Sequence, residues 1–173
     1  MTQELIDLRN SIIEGRYTDA LAIVDELEGM SKQAIIRNIQ AFLKILLIHL
    51  IKNQIEQRLT NSWTASIRNS LIEIKKLNLK DNKKSHYINQ DEWQIYLEDE
   101  LTPAIADASL EVLNGSLKRQ QLSQMLNQKQ LLLNANELLL MTYNYSNREL
   151  PDMIDNYLVQ LPGGEDWMNA YNY

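Results

Sequence analysis

The chain has 173 residues and a net charge of -6, a length that suits one domain able to bury roughly 70% of the surface it exposes when unfolded. Five glycines and three prolines are too few for the turns of a many-stranded β architecture. The 28 Leu against 3 Val favour helices, an inference that the 18 Ile blunt.

In chain order, helix one is expected from Thr2 to Glu14, with Leu5, Leu8 and Ile12 on one face and Gly15 as its stop. Thr18 can cap a short second helix bearing Leu21, Val24 and Leu27, ending near Gly29. Ser31 then caps a long helix to about Arg58, whose Ile35, Ile39, Phe42, Leu43, Leu46 and Leu50 fall within about 100° of arc. Ile45, Ile48, Ile51 and Ile55 lie opposite, so this helix must be covered on both sides, by later helices or by a second subunit. Its narrow polar strip holds His49, Asn53 and Glu56 at i, i+4 and i+7, flanked by Lys52.

Asn61 or Ser62 can cap a fourth helix with Trp63, Ile67, Leu71, Ile74 and Leu77 on one face, and Leu79 to His86 reads as an exposed loop. Asn89 and Glu92 resemble a capping box for helix five, and Pro103 marks a kink or a fresh first turn. Asn114-Gly115 ends that segment. A long helix is expected from Ser116 to about Thr142, through the apolar block Leu131 to Met141. Ser146 with Glu149 is the clearest capping box, opening a last helix that Pro162-Gly163-Gly164 terminates. Trp167, Met168, Tyr171 and Tyr173 have roughly helical spacing, as expected of a docked tail.

Charge is segregated. Residues 1 to 31 carry seven acids against two bases, residues 87 to 115 seven acids and no base, and residues 58 to 86 a local +5. Mutual neutralisation is preferred over an anionic partner, because an acidic protein is repelled by nucleic acid. The basic segment Arg68 to Lys84 also lacks the interleaved aromatic rings that stack single strands. Met1 to Arg16 shows no secretory pattern, which leads us to expect a cytoplasmic protein. Ile35 to Ile51 is interrupted by Arg37, Asn38, Gln40, Lys44 and His49, too often for the lipid span it would otherwise suggest.

Chemical motifs are scarce. No cysteine is present, which excludes a thiol nucleophile and thiolate metal sites. The glycines are too scattered for a phosphate loop, and His49 and His86 lack both zinc-protease spacing and the preceding Glu of a di-iron bundle. The acids Asp91, Glu92, Glu98, Asp99 and Glu100 read as a solvated helix face. No catalytic residue, metal or cofactor is expected. His49, with Asn53 and Glu56 below it, can form the polar corner of a pocket or a hydrogen-bonded core edge, and the second reading is preferred. Trp63 belongs by default to the apolar stripe, with a binding wall as the alternative.

Leu46-Leu47-Ile48-His49-Leu50-Ile51-Lys52 followed by Trp63-Thr64-Ala65-Ser66-Ile67-Arg68, led by Glu14-Gly15-Arg16-Tyr17-Thr18-Asp19, resembles the bacterial all-helical family catalogued as domain of unknown function number twenty-nine. The resemblance covers residues 5 to 113, with a weaker echo at Tyr145-Ser146 and the last helix; the segment from Ser116 is longer and richer in Leu and Gln than that family suggests. It implies a helical domain without an established activity, and that His49, Trp63, Ser66 and Arg68 match favoured positions.

The expectation is therefore an all-α, compact helical bundle of about seven helices with a long central helix. Residues 1–173 form one domain, 1–115 family-like and 116–173 a helical extension packed on it. Its expected role is that of a non-enzymatic interaction module, as a homo-oligomer or with a protein partner, with no nucleic acid and no membrane. Its candidate binding residues are His49, Asn53, Glu56, Trp63, Ser66 and Arg68. The alternative is an enzyme or nucleic-acid effector acting near His49 or along Arg68 to Lys84.

Overall fold

Gly15, at φ +72°, turns the chain between α1 (Gln3–Ile13) and α2 (Tyr17–Glu56). The turn is closed by bonds from the Gly15 and Arg16 amides to the carbonyls of Ile12 and Ser11, the pairing a left-handed glycine permits at a helix end. The computed structural model describes residues 1–170; the expectations for Tyr171 and Tyr173 lie outside the described residues. Among the described residues there are eight α-helices, one 3-10 turn and no strand beyond an isolated bridge between Leu79 and His86. The protein is all-α, with α2 as its long helix.

The described chain falls into two compact units, Met1–Arg37 and the residues from Asn38 onward. In the first, which holds α1 and the start of α2, only Ser11 and Ala20 are buried. Arg16 braces its turn by pairing with Glu14 and Asp19 at 2.8 and 2.9 Å. The expected break at Gly29–Ser31 does not occur, and α2 runs through it. A side chain at Gly29 would meet nothing, so this glycine costs the helix only about 1 kcal/mol relative to alanine. One such residue does not stop forty.

The second unit is built around the rest of α2. From Leu46 to Glu56 no residue is exposed, so later helices of the same chain cover both of its apolar sides. α3 (Asn61–Asn78) is capped by Thr60 rather than Asn61 or Ser62, through a 3.1 Å bond from the Trp63 amide to Thr60 Oγ1. It packs against α6 (Gln128–Asn144) and α7 (Leu150–Leu158), while α4 (Trp93–Ser109) packs against α5 (Arg119–Met125) and α6. α4 continues through Pro103 without a new start. The expected Ser116 to Thr142 helix is broken at Leu126–Asn127, because the Asn127 backbone exchanges two bonds with the Gln54 amide, at 2.8 and 3.1 Å, while its side chain caps α6. After α7 the Pro162-Gly163-Gly164 turn leads into α8 (Gly164–Ala170), where buried Trp167 donates its Nε1–H to Asn61 Oδ1 at 2.9 Å.

α2 contains an 18-residue window of mean hydropathy 1.7, which by length and composition is enough to cross a membrane. This corrects the argument that its polar interruptions are too many. Beyond Asn38 the same helix is a core element, with Leu43, Leu46, Leu47 and Ile51 fully buried.

Candidate functional site

The last turn of α2 carries two charged side chains one turn apart, Lys52 and Glu56. Both are held inward by the buried face of the helix, and each finds its counter-charge elsewhere. Lys52 pairs with Glu111, in the short connection after α4. Glu56 pairs at 3.1 Å with Arg58, in the turn that leads to α3. The side chains of Lys52 and Glu56 are 10% and 14% exposed, whereas Glu111 and Arg58 are each 56% exposed. An inner pair of opposite charges is thus covered by an outer pair.

Trp63, in the first turn of α3, forms the wall. The Arg58 guanidinium lies 4.6 Å and the Lys52 ammonium 5.6 Å from its ring centroid, within the range of cation–π attraction. Lys52, Glu56, Arg58, Trp63, Glu111, Leu113 and Asn114 together line a cavity of about 380 Å³. Leu113 and Asn114, in the 3-10 turn Val112–Gly115, stand at φ +50° and +59°, a region that costs a non-glycine residue roughly 1–2 kcal/mol.

The six residues expected to bind do not form one site. Glu56 and Trp63 line the cavity. His49 lies one turn above Lys52 outside its lining, half-buried, with a buried Nδ1 that has no hydrogen-bond partner among the described residues. Asn53 is buried and donates from Nδ2 to the carbonyls of Arg58 and Pro162 at 3.1 and 2.7 Å, tying α2 to the turn before α8. Ser66 is half-buried, and its carbonyl accepts from the Ser70 hydroxyl at 2.8 Å. Arg68 grips Asp155 of α7 with two bonds from one guanidinium nitrogen, at 2.6 and 2.8 Å. In the basic segment, Lys75 donates to the Thr142 carbonyl at 2.6 Å at the end of α6, where a cation suits the helix dipole. Lys83 and Lys84 stay exposed.

Sequence reasoning missed Arg58, Glu111, Leu113 and Asn114 as site residues, and placed Lys52 only as a flank of the polar strip. The signal was the segregated charge: the acidic 87–115 segment answers bases, but on α2, where Lys44 meets Asp107 at 3.0 Å and Lys52 meets Glu111.

Burial pushes the His49 imidazole down to about 4, with Lys52 adding to the effect and Glu111 opposing it. His49 is therefore neutral in the fold at pH values where the unfolded chain, at its ordinary 6.5, already binds a proton. Stability is expected to rise as pH rises from about 4 to 6.5 and to be lost as pH falls through that window, by about 2 kcal/mol once solvent screening is allowed for. Urea melts at a series of pH values check this, the difference between wild type and His49→Gln isolating the imidazole from titrating carboxylates. Parallel curves would show that His49 is not the source.

These features define an all-α bundle protein with a charged, aromatic-walled pocket. Among the described residues no group of three or more His, Asp or Glu side chains is placed to hold a metal ion. The chain belongs to the family described as domain of unknown function DUF29, whose model matches residues 5–113. No curated protein and no solved structure matches it.

Proposed function

We propose that the protein is a non-enzymatic helical interaction module acting in the cytoplasm, whose docking face lies on the N-terminal part of α2 and receives a basic amphipathic helix of another protein. The observation that supports this is the exposed face of the 1–37 unit. Tyr17, Leu21 and Val24 are 66%, 64% and 43% exposed, and with the exposed Asp25 and Glu28 they fall within about 100° of arc on one helix. A helical unit with so little buried needs a further layer to cover its apolar stripe. Charge selects the occupant. Residues 1–31 carry seven acids against two bases, so a second copy would set like charges against each other, whereas a helix with an apolar stripe and a lysine-rich end complements both halves of the face.

The test is titration of the full chain with a fluorescent amphipathic helical peptide of Leu and Lys, alongside light scattering. Saturable binding is expected, weakened about tenfold or more by Leu21→Ser with Val24→Ser, which leave the charge unchanged. Equal binding by this variant reduces the attraction to charge alone and overturns the reading. So does a wild-type dimer that the same substitutions dissociate, since the face would then be covered by a second copy.

A further inference from the structure

The pocket beneath Glu111 and Arg58 has a property that bracing alone does not require. Its buried members, Lys52 and Glu56, are of opposite sign and one helical turn apart, yet each is neutralised by a side chain that is itself more than half exposed. A simple anion entering the pocket would displace Glu111 from Lys52 and meet the repulsion of Glu56. A simple cation would displace Arg58 and meet Lys52. A molecule carrying both charges meets neither obstacle.

We propose that this pocket binds a small zwitterion, an α-amino acid by chemical class, its carboxylate on Lys52, its ammonium on Glu56 and its side chain against Trp63. Binding is then an exchange of ion pairs. The ligand's two charges take the places of Glu111 and Arg58, and these two, already more than half exposed, swing into water. The inner charges remain paired throughout, so no uncompensated buried charge is created. The four residues from Lys52 to Glu56 rise about 6 Å along the axis, a separation that an ammonium and a carboxylate on adjacent carbons span with two charge-assisted hydrogen bonds of about 2.8 Å. The cavity, at about 380 Å³, lies at the small end of the ligand-site range of roughly 300–1,000 Å³. The stack of Arg58 on Trp63 marks the indole face as the surface that the departing guanidinium opens. This site is independent of the docking face on the 1–37 unit.

Isothermal titration of the full chain with the common L-α-amino acids, and with acetate and ethylammonium as single-charge controls, tests the proposal. At least one amino acid is expected to bind saturably, with both controls about tenfold weaker or more. Lys52→Met and Glu56→Gln remove the inner charges and abolish binding. Because these buried substitutions can unfold the chain, the decisive variants are Glu111→Gln and Arg58→Gln on the exposed side. Each removes an internal competitor, and each is expected to tighten binding about threefold or more. No saturable binding to wild type or to either outer variant overturns the proposal, as does tightening in neither, or controls that bind as well as the amino acid.

Discussion

Gly163→Ala is expected to lower the unfolding free energy by about 3 kcal/mol or more, a loss set by backbone rather than by side-chain packing. Gly163 sits at φ +71°, and a Cβ there would lie 2.5 Å from the Arg58 Cα and 3.0 Å from the Gln57 carbonyl oxygen. The left-handed backbone alone costs an alanine about 1 kcal/mol. The remainder comes from forcing apart the α2–α3 turn and the turn before α8, which the Asn53 amide bonds together from beneath. Gly29→Ala, in open space on a continuous helix, is the internal comparison and should stabilise by up to about 1 kcal/mol. Urea midpoints read both. A Gly163→Ala midpoint equal to wild type would mean that the two turns do not meet as described.

Asn78→Ala should cost about 3 kcal/mol. Asn78 is 1% exposed; its Nδ2 donates to the Ile88 carbonyl at 2.9 Å and to the Tyr143 hydroxyl at 3.0 Å, and its Oδ1 accepts from the Ile88 amide at 2.7 Å. Removing the side chain leaves a buried amide and a carbonyl partly unpaired, each worth about 1–3 kcal/mol. Tyr143 also donates to the Ile88 carbonyl at 2.6 Å and accepts from Trp93 Nε1 at 2.8 Å, so Tyr143→Phe should cost less, about 1–2 kcal/mol, the Ile88 amide keeping its partner. The network pins the exposed lysine loop at its far end. Hydrogen exchange at the Ile88 amide should accelerate strongly in Asn78→Ala and only modestly in Tyr143→Phe; equal protection in both variants would show that the network does not hold the loop.

The legible parts of the fold are those written in local periodicity. The two-sided apolar pattern of α2, the Trp63 stripe of α3 and the stop at Gly15 depend on residues a few positions apart, and each is found where those residues predict it. What was not legible depends on distant partners. Nothing near Asn127 announces that Gln54 will hold its backbone and split a leucine-rich helix in two. Nothing near Asn53 announces a carbonyl 109 residues on. For the site, Glu56 and Trp63 were visible as a polar strip and an aromatic on neighbouring elements. Arg58 and Glu111 were visible only as members of charged segments, because the pairing that makes them lids exists only once α2, α3 and the turn after α4 come together.

The contact of α3 with α6 and α7 bears on how this protein can be cut. The family match ends at Leu113, whereas the Asp155 that holds Arg68 and the carbonyl that holds Lys75 come from beyond it. The limit of sequence likeness is therefore not a limit of cohesion. A chain ended at Leu113 keeps the family's recognisable half but strips one flank of α3, leaving a guanidinium and an ammonium without their acceptors and apolar surface bare. Fragments made for expression or for grafting should retain the C-terminal helices, even though those helices lie beyond the family match.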